Sequence, residues 1–161
     1  MGRLRAVRVS SARFAERRYL QMLKDPLEDS GTLLYRAPDR LEKDTIEPKT
    51  ERLVVEGGTV TMEHEGKTET LRLDDYPQLA AIIESIRATL AGDLPALQRI
   101  YAMRLDGTEA DWQLVLQPLD AKLRETVQAI RISGNDVHIK RIETLEGDGD
   151  RTDMTITEAA P

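Results

Sequence analysis

Few residues of this sequence have the types and spacing that catalysis or metal binding requires. Glu63–Glu65 places a histidine between two carboxylates, but His138 is the one other histidine and no H-E-x-x-H pairing is present. Gly66–Thr68 ends like a phosphate-binding loop, yet that motif needs a glycine five positions earlier, where Thr61 stands. We therefore interpret both segments as parts of strands and turns.

Two groups of acidic residues offer carboxylates, in patterns typical of turns and helix starts. Asp148, Asp150 and Asp153 resemble the beginning of a calcium loop, although Thr152 occupies the third oxygen position and the closing glutamate is missing. Asp74–Asp75 is a candidate acid–base pair, but adjacent acids before a helix usually interact with its free N–H groups. We therefore predict no catalytic residue, no metal site and no cofactor.

The composition indicates one globular domain without a membrane-spanning segment. The chain has 161 residues, 40% hydrophobic and 32% charged. No apolar run approaches the roughly 18 residues that cross a bilayer. Cysteine is absent, which excludes disulfides and thiolate ligands. We expect a single domain over residues 1–161, with flexible ends at 1–10 and 158–161.

The net charge of −6 is unevenly distributed along the chain. Residues 1–24 carry seven basic residues against the single acid Glu16, which leaves about −12 for the remainder. The arginines lack the interleaved aromatic residues typical of single-strand binders, so we predict no nucleic-acid partner. We expect a solvated start followed by an edge strand; the alternative is docking to anionic lipid or an acidic partner through the arginines 3, 5, 8, 13, 17 and 18.

Residues 31–74 have the period-two alternation of an antiparallel meander. Gly57–Gly58 predicts a tight hairpin, and Gly66 predicts the next turn. The alternating apolar residues of these strands would share one face, and we expect them to line an interior. They are Leu33, Tyr35, Leu53, Val55, Val60, Met62, Leu71 and Leu73.

The period then changes to that of a helix. Pro77 suits its first turn, Asp74 or Asp75 its N-cap, and Gly92 the position just past its end. Asp93 predicts a cap for a second, shorter helix over residues 95–100. The apolar stripe of the first helix is predicted to pack as core or to act as a lid, and consists of Leu79, Ile82, Ile83, Ile86 and Leu90.

A second meander follows, broken by Pro118 and containing a phase slip before Ile142 that predicts a bulge. Nine to eleven strands against two helices predict a mainly β (α+β) fold, a strongly curved antiparallel sheet or unclosed β-barrel with a helical lid. Two small helices would leave an apolar cavity, with further lining from Trp112, Leu114, Leu116, Ile130 and Ile132.

An ordered series of short motifs resembles the periplasmic lipoprotein carrier family, LolA. The resemblance implies an unclosed barrel whose cavity receives lipoprotein acyl chains, an inner-membrane exporter as donor and an outer-membrane receptor as acceptor. The matching motifs are Phe14-x-Glu16-x-Arg18-x-Leu20, Pro26-Leu27, Gly31-x-Leu33-x-Tyr35, Pro38-Asp39-Arg40-Leu41, Pro48, Glu51 and Leu53-Val54-Val55-x-Gly57.

The sequence also departs from that family, as a divergent member would. Many members have an arginine immediately before the strand proline, where this chain has Ala37, so a polar gate falls to Arg36 or Arg40. Such proteins start with a secretion signal. We hypothesise that Met1-Gly2 replaces that start and that the native protein is periplasmic.

Three functions follow as hypotheses. The first is a non-catalytic carrier that binds an acylated lipid or lipoprotein. The second is an adaptor with a solid core, which docks an inner-membrane lipid or pigment exporter without cargo of its own. The third is a small enzyme on the same fold, for which Arg36, Glu63 and His64 are the available polar groups.

Overall fold

A computed structural model describes residues 9–37, 39–136 and 138–158, with all their side chains except those of residues 77–79, 82 and 158. The first half of the chain forms a meander of six strands, as the alternation predicts. We call it the N-terminal meander: β1 (Val9–Tyr19), β2 (Leu27–Arg36), β3 (Arg40–Glu47), β4 (Glu51–Glu56), β5 (Thr59–His64) and β6 (Lys67–Arg72).

Two helices connect this meander to the second one. A 3-10 turn at Leu73–Asp75 leads into α1 (Pro77–Ala91), and α2 (Leu94–Ile100) follows. Gly92 ends α1 in the left-handed conformation, with φ 67°, and Asp93 caps α2 by accepting a hydrogen bond from the Ala96 N–H. Both features are as predicted, but the predicted N-cap of α1 is wrong: Tyr76 occupies that position without a side-chain bond, because the two aspartates belong to the 3-10 turn.

The second half forms the C-terminal meander. It consists of β7 (Tyr101–Thr108), β8 (Asp111–Pro118), the single-turn helix α3 (Ala121–Arg124), β9 (Val127–Asn135), β10 (His138–Glu146) and β11 (Arg151–Glu158). The predicted bulge appears as a register shift between Ile139 and Arg141. Strand β7 continues through Asp106 and Gly107, because Gly107 pairs with Trp112.

The eleven strands form one antiparallel sheet that is not closed, in the order β6-β5-β4-β3-β2-β1-β11-β10-β9-β8-β7. This confirms the predicted fold class. The first and last strands pair at the centre of the sheet, where Phe14 lies opposite Ile156. The expectation of an edge strand at the start is therefore wrong, and Val9, Ser10 and residue 158 belong to strands rather than to flexible ends. Residues 1–8 and 159–161 lie outside the described part of the chain.

The concave face of the sheet carries two separate hydrophobic cores. The larger core joins α2 and one side of α1 to the C-terminal meander, around Leu97, Tyr101, Leu114 and Ile132. The smaller core joins the other side of α1 to the N-terminal meander, and its buried members are Val55, Val60, Leu73 and Ile83. Among the described residues, no helix is both long and apolar enough to cross a membrane.

Candidate functional site

A cavity of about 830 Å³ separates the two cores. It extends along the central strands β1, β2, β10 and β11, and α1 covers one side of it. Its volume lies within the range of about 300–1,000 Å³ that is typical of small-molecule sites. The helices therefore leave space over the middle of the sheet, as the ratio of strands to helices predicts.

The apolar wall under α1 contains many of the residues that the sequence assigned to an interior. Strand pairing places Tyr35 beside Leu41 and Leu41 beside Val55, so their side chains share the concave face. The predicted residues that line the cavity are Leu33, Tyr35, Leu53, Val55, Ile83, Ile86 and Leu90.

Other predicted lining residues lie in the two cores instead. Val60, Met62, Leu71 and Leu73 pack in the smaller core. The side chains of Leu79 and Ile82 lie outside the described part of the structure. The residues expected from the C-terminal meander are all in the larger core, where they are buried together with Leu97 of α2 and Ala88 of α1: Trp112, Leu114, Leu116, Ile130 and Ile132.

Trp112 illustrates how completely the C-terminal side is filled. A Cβ atom on Gly134 would lie 2.3 Å from Cζ2 of Trp112, so the indole packs directly on the glycine backbone. Its Nε1 donates a 2.9 Å hydrogen bond to the Asp136 carbonyl oxygen. The ring is therefore held as a structural residue, away from the cavity.

Small residues attach α1 closely to the C-terminal meander. Ala81, Ser85 and Ala88 are buried, and the Tyr101 hydroxyl donates a 2.9 Å hydrogen bond to the Ala81 carbonyl oxygen. Burial raises the pKa of Tyr101, so the phenol remains a donor well above neutral pH. This side of α1 thus combines buried small residues with one buried side-chain hydrogen bond.

A single arginine attaches the opposite side of α1 to the N-terminal meander. Arg87 is only 7% exposed, and its Nη1 donates to the Asp39 carbonyl oxygen at 3.1 Å and to the Gly57 carbonyl oxygen at 2.6 Å. Its Nη2 pairs with Glu84 one turn earlier. Burial lowers the pKa of Arg87, although it stays a cation at neutral pH. We call this set of contacts the Arg87 latch; it ties the helix to the β2–β3 and β4–β5 turns.

The two arginines expected to form a gate lie on the convex face instead. Arg36 pairs in register with Arg40, and both alternate out of phase with Tyr35 and Leu41. Arg40 forms ion pairs with Glu42 and Glu56 there, and neither arginine lines the cavity. The sequence placed the polar contact on the strands, whereas the structure provides it from α1.

The cavity wall also holds an ion pair between the buried Glu16 and the partly exposed Lys43. Lys43 Nζ lies 3.3 Å from Glu16 Oε1 and 5.1 Å from the centre of the Phe14 ring. The Lys43 side chain stands between Leu33 and Leu53 on neighbouring strands, and Glu16 pairs in register with Met154. One ion pair is thus set among apolar residues that line the same cavity.

The other polar candidates lie apart from one another, except in the β10–β11 turn, where carboxylate oxygens of Glu146, Asp148 and Asp150 come within 4.8 Å of one another. Glu63 and His64 do not line the cavity. Asp148 and Asp150 shape the β10–β11 turn, since Asp148 accepts a hydrogen bond from the Asp150 N–H and Asp150 accepts one from the Gln21 N–H. Asp153 instead receives two hydrogen bonds from Arg141. This arrangement agrees with a polar hairpin turn.

Several residues of the site were missed by sequence reasoning. Arg87 had a visible signal, because it and Glu84 are the charged residues of an otherwise uncharged helix at i, i+3 spacing. Ser10, Ala12 and Glu16 were missed because β1 was taken as an edge strand. The lining from the end of the chain was missed for the same reason, and includes Thr144, Thr152, Met154 and Ile156.

One protein family matches the whole chain. Its model is described as "Outer membrane lipoprotein carrier protein LolA-like" and covers residues 1–161. No curated protein matches the chain.

Several solved structures are distantly similar. LolA superfamily protein NE2245 from Nitrosomonas europaea is 10% identical, with a TM-score of 0.46 over 99% of this chain and 92% of that one. Mycobacterium tuberculosis lipoprotein LppX is 9% identical, with a TM-score of 0.45 over 92% and 85%. LprF from Mycobacterium bovis is 10% identical, with a TM-score of 0.42 over 95% and 87%.

Proposed function

Since the chain belongs to the LolA-like family of outer membrane lipoprotein carrier proteins, we propose that it is a non-catalytic periplasmic carrier of acyl chains. It takes up the acyl chains of a lipoprotein or another lipid and passes them toward the outer membrane. An inner-membrane exporter is the donor in this proposal, and an outer-membrane receptor is the acceptor.

The cavity of about 830 Å³ is the observation that carries the proposal. Its wall under α1 is aliphatic, and burial of an acyl chain there gains roughly 0.8 kcal/mol per CH₂ group. A chain of about 14 carbons gains ~10 kcal/mol before the cost of ordering the chain is subtracted. The wall itself therefore provides enough driving force without any catalytic group.

The attachment of α1 suggests how the cavity opens. The contact with the C-terminal meander is a packed surface of small residues, whereas the contact with the N-terminal meander depends on the Arg87 latch and the smaller core. Release of the latch costs a few hydrogen bonds, so the helix separates from the N-terminal side first. Cargo enters between α1 and strands β2–β4.

The two alternative hypotheses are less well supported. An adaptor without cargo has no use for an open interior, and the polar groups that the sequence offered for catalysis do not line this cavity. Arg36, Glu63 and His64, which were the available groups for catalysis, all lie outside its lining.

Binding of an acyl probe with a neutral, fluorescent head tests the proposal. We expect the delipidated protein to bind the probe with a saturable signal, and native mass spectrometry of protein extracted with membranes to reveal a bound lipid. Ile86→Trp fills the cavity from α1 and should weaken binding at least about tenfold, which corresponds to ~1.4 kcal/mol.

Leu105→Trp is the matched control, because Leu105 is exposed on the edge strand β7 and does not line the cavity. It should leave probe affinity unchanged. Absence of probe binding and of bound lipid in the wild-type protein would refute the proposed function.

A further inference from the structure

The outer edge of β7 has no neighbouring strand in the described part of the chain. β7 stands last in the strand order and pairs with β8 on one side only. From Ala102 to Thr108, every residue except Met103 is exposed. Alternate residues of such a strand present free N–H and C=O groups, which are a template for pairing with another strand.

An exposed leucine lies at the middle of this edge. Leu105 pairs with the fully buried Leu114, which places its side chain on the concave face beside the larger core, yet Leu105 is 47% exposed. The opposite edge strand, β6, contributes none of the exposed large hydrophobic residues of the described chain. Sheet edges are normally protected by charges, prolines or bulges, so the apolar centre distinguishes β7 as the edge that another strand can cover.

Two opposite charges flank this leucine symmetrically. Arg104 and Asp106 lie on the convex face of β7, where Arg104 Nε is 2.7 Å from Asp106 Oδ2. Their side chains are 69% and 50% exposed, so the pair is weak and either member can change its partner at little cost. A charge on an edge strand repels a second copy only where it meets a like charge, and these two charges differ in sign.

One antiparallel register of two β7 strands satisfies all of these residues. When Leu105 lies opposite Leu105 of a second copy, Arg104 of each copy lies opposite Asp106 of the other. In the same register, Met103 lies opposite Gly107, which leaves room for the longer side chain. A shift of the two-fold axis by one residue places Arg104 opposite Arg104, or Asp106 opposite Asp106, and like charges directly opposite are destabilising. The strand is therefore self-complementary in one register and repelled in the two neighbouring registers.

We propose that the protein forms a symmetric dimer through β7, so that two eleven-stranded sheets become one continuous sheet. The occupant of the edge is a second copy of this chain, because the charges and the leucine match their own two-fold image. Residues 103–107 of each copy make a small interface, so the dimer is weak and its population depends on concentration. The described cavity lining contains no residue of β7, and the dimer is therefore independent of what the cavity binds.

Sedimentation equilibrium of the purified protein between about 1 and 200 µM tests the dimer. We expect the mean mass to rise with concentration from the 18.1 kDa of one chain toward twice that value. Amide exchange locates the contact, because outward N–H groups of residues 103–107 become hydrogen-bonded in the dimer. Their exchange should slow at the higher concentration, whereas exchange in β6 should not change.

Charge reversal tests the register. Arg104→Asp places two carboxylates opposite each other at both ends of the contact and should raise the dissociation constant of the dimer at least about tenfold. Arg104→Asp combined with Asp106→Arg restores opposite charges and should bring the constant back within about threefold of the wild-type value. Lys67→Asp makes the same change at an exposed position of the other edge strand, β6, and should leave the constant unchanged.

A mass of one chain at the highest concentration would overturn the proposed dimer. A dimer that Arg104→Asp does not weaken, or that the double substitution does not restore, would overturn the β7 register. Slower exchange in β6 instead of β7 would also contradict the proposal, because it would place the contact at the opposite edge of the sheet. Each of these results leaves the carrier function untouched, since binding of the acyl probe measures that function separately.

Discussion

The two meanders have the same hairpin architecture, yet only the C-terminal one has a large packed core. Eleven described residues form the buried cluster on the C-terminal side, against four on the N-terminal side. The strands of both halves alternate in the same way, so strand pattern does not cause this difference. The difference comes from α2 and the small-residue side of α1, which cover one half and leave the other partly open.

The comparison shows that the C-terminal meander contributes most to stability, whereas the N-terminal meander contributes space for a ligand. The C-terminal meander has close packing, which resists any change of volume. The N-terminal meander exposes part of its apolar face to the cavity, and a single helix with a single buried arginine covers it. Four predictions test this division.

The largest effect should come from the same truncation made on each side. Leu114→Ala empties a fully buried position in the larger core and should lower the free energy of unfolding by about 3–4 kcal/mol. Leu53→Ala removes a half-buried side chain beside an existing cavity and should cost about 1.5 kcal/mol. Chemical denaturation measures both. Equal losses would contradict the division.

The second effect concerns the latch between the halves. Arg87→Met keeps most of the side-chain volume but removes the bonds to Asp39 and Gly57, and should cost about 2 kcal/mol. Amide exchange in the β4–β5 turn and release of bound probe should both accelerate. Arg99→Met on the exposed side of α2 is the control, with an expected change within about 0.5 kcal/mol. An unchanged rate of probe release in Arg87→Met would show that the Arg87 latch does not control the opening of the cavity.

The third effect is the loss of a carboxylate that pairs with arginine on the convex face. Its cost in stability should be the same in both meanders. Hydrogen bonds from Arg52 and Arg40 lower the pKa of Glu42 below 4.5, and those from Arg141 lower the pKa of Asp153 below 3.8. A carboxyl group whose pKa is lower in the folded than in the unfolded protein stabilises the fold at pH values above its unfolded-state pKa. That stabilisation is lost as the pH falls through the folded-state pKa.

Glu42→Gln and Asp153→Asn should each cost about 1 kcal/mol at pH 7, since the arginine partners are half-exposed. The difference from the wild-type protein should vanish in acid. A cost that persists at the lowest pH would indicate a packing effect instead.

The smallest effect should be a gain in stability rather than a loss. The pKa of Glu146 is raised, so its ionised form is penalised in the folded state at every pH above the folded value. Glu146→Gln should raise the free energy of unfolding by about 0.5 kcal/mol at pH 7, and the gain should disappear below the unfolded pKa. A loss of stability at neutral pH would contradict this assignment.

The sequence predicted the features that depend on neighbouring residues. The ends of α1 and α2 near Gly92 and Asp93 and the hairpin at Gly57–Gly58 follow from local conformational preferences. Alternation placed Leu53 and Val55 on the concave face for the same reason. These are properties of short segments and need no tertiary context.

The features that depend on distant partners could not be predicted in this way. No local pattern states that β1 pairs with β11, so the central part of the cavity lining was missed. Which meander α2 covers depends on the path of the chain after Gly92, so Leu114 and Ile132 were assigned to the cavity rather than to the core. The role of Arg87 depends on two carbonyl oxygens from separate turns.

The central pairing of β1 with β11 constrains how the molecule can be made. During vectorial synthesis the N-terminal meander is complete long before β11 emerges, so the free edge of β1 has no neighbour for most of that time. Such an edge invites pairing with other chains. Ala12 meets residue 158 only after all the intervening strands have appeared, and this late, long-range contact should set the folding rate and make a holding chaperone valuable until then.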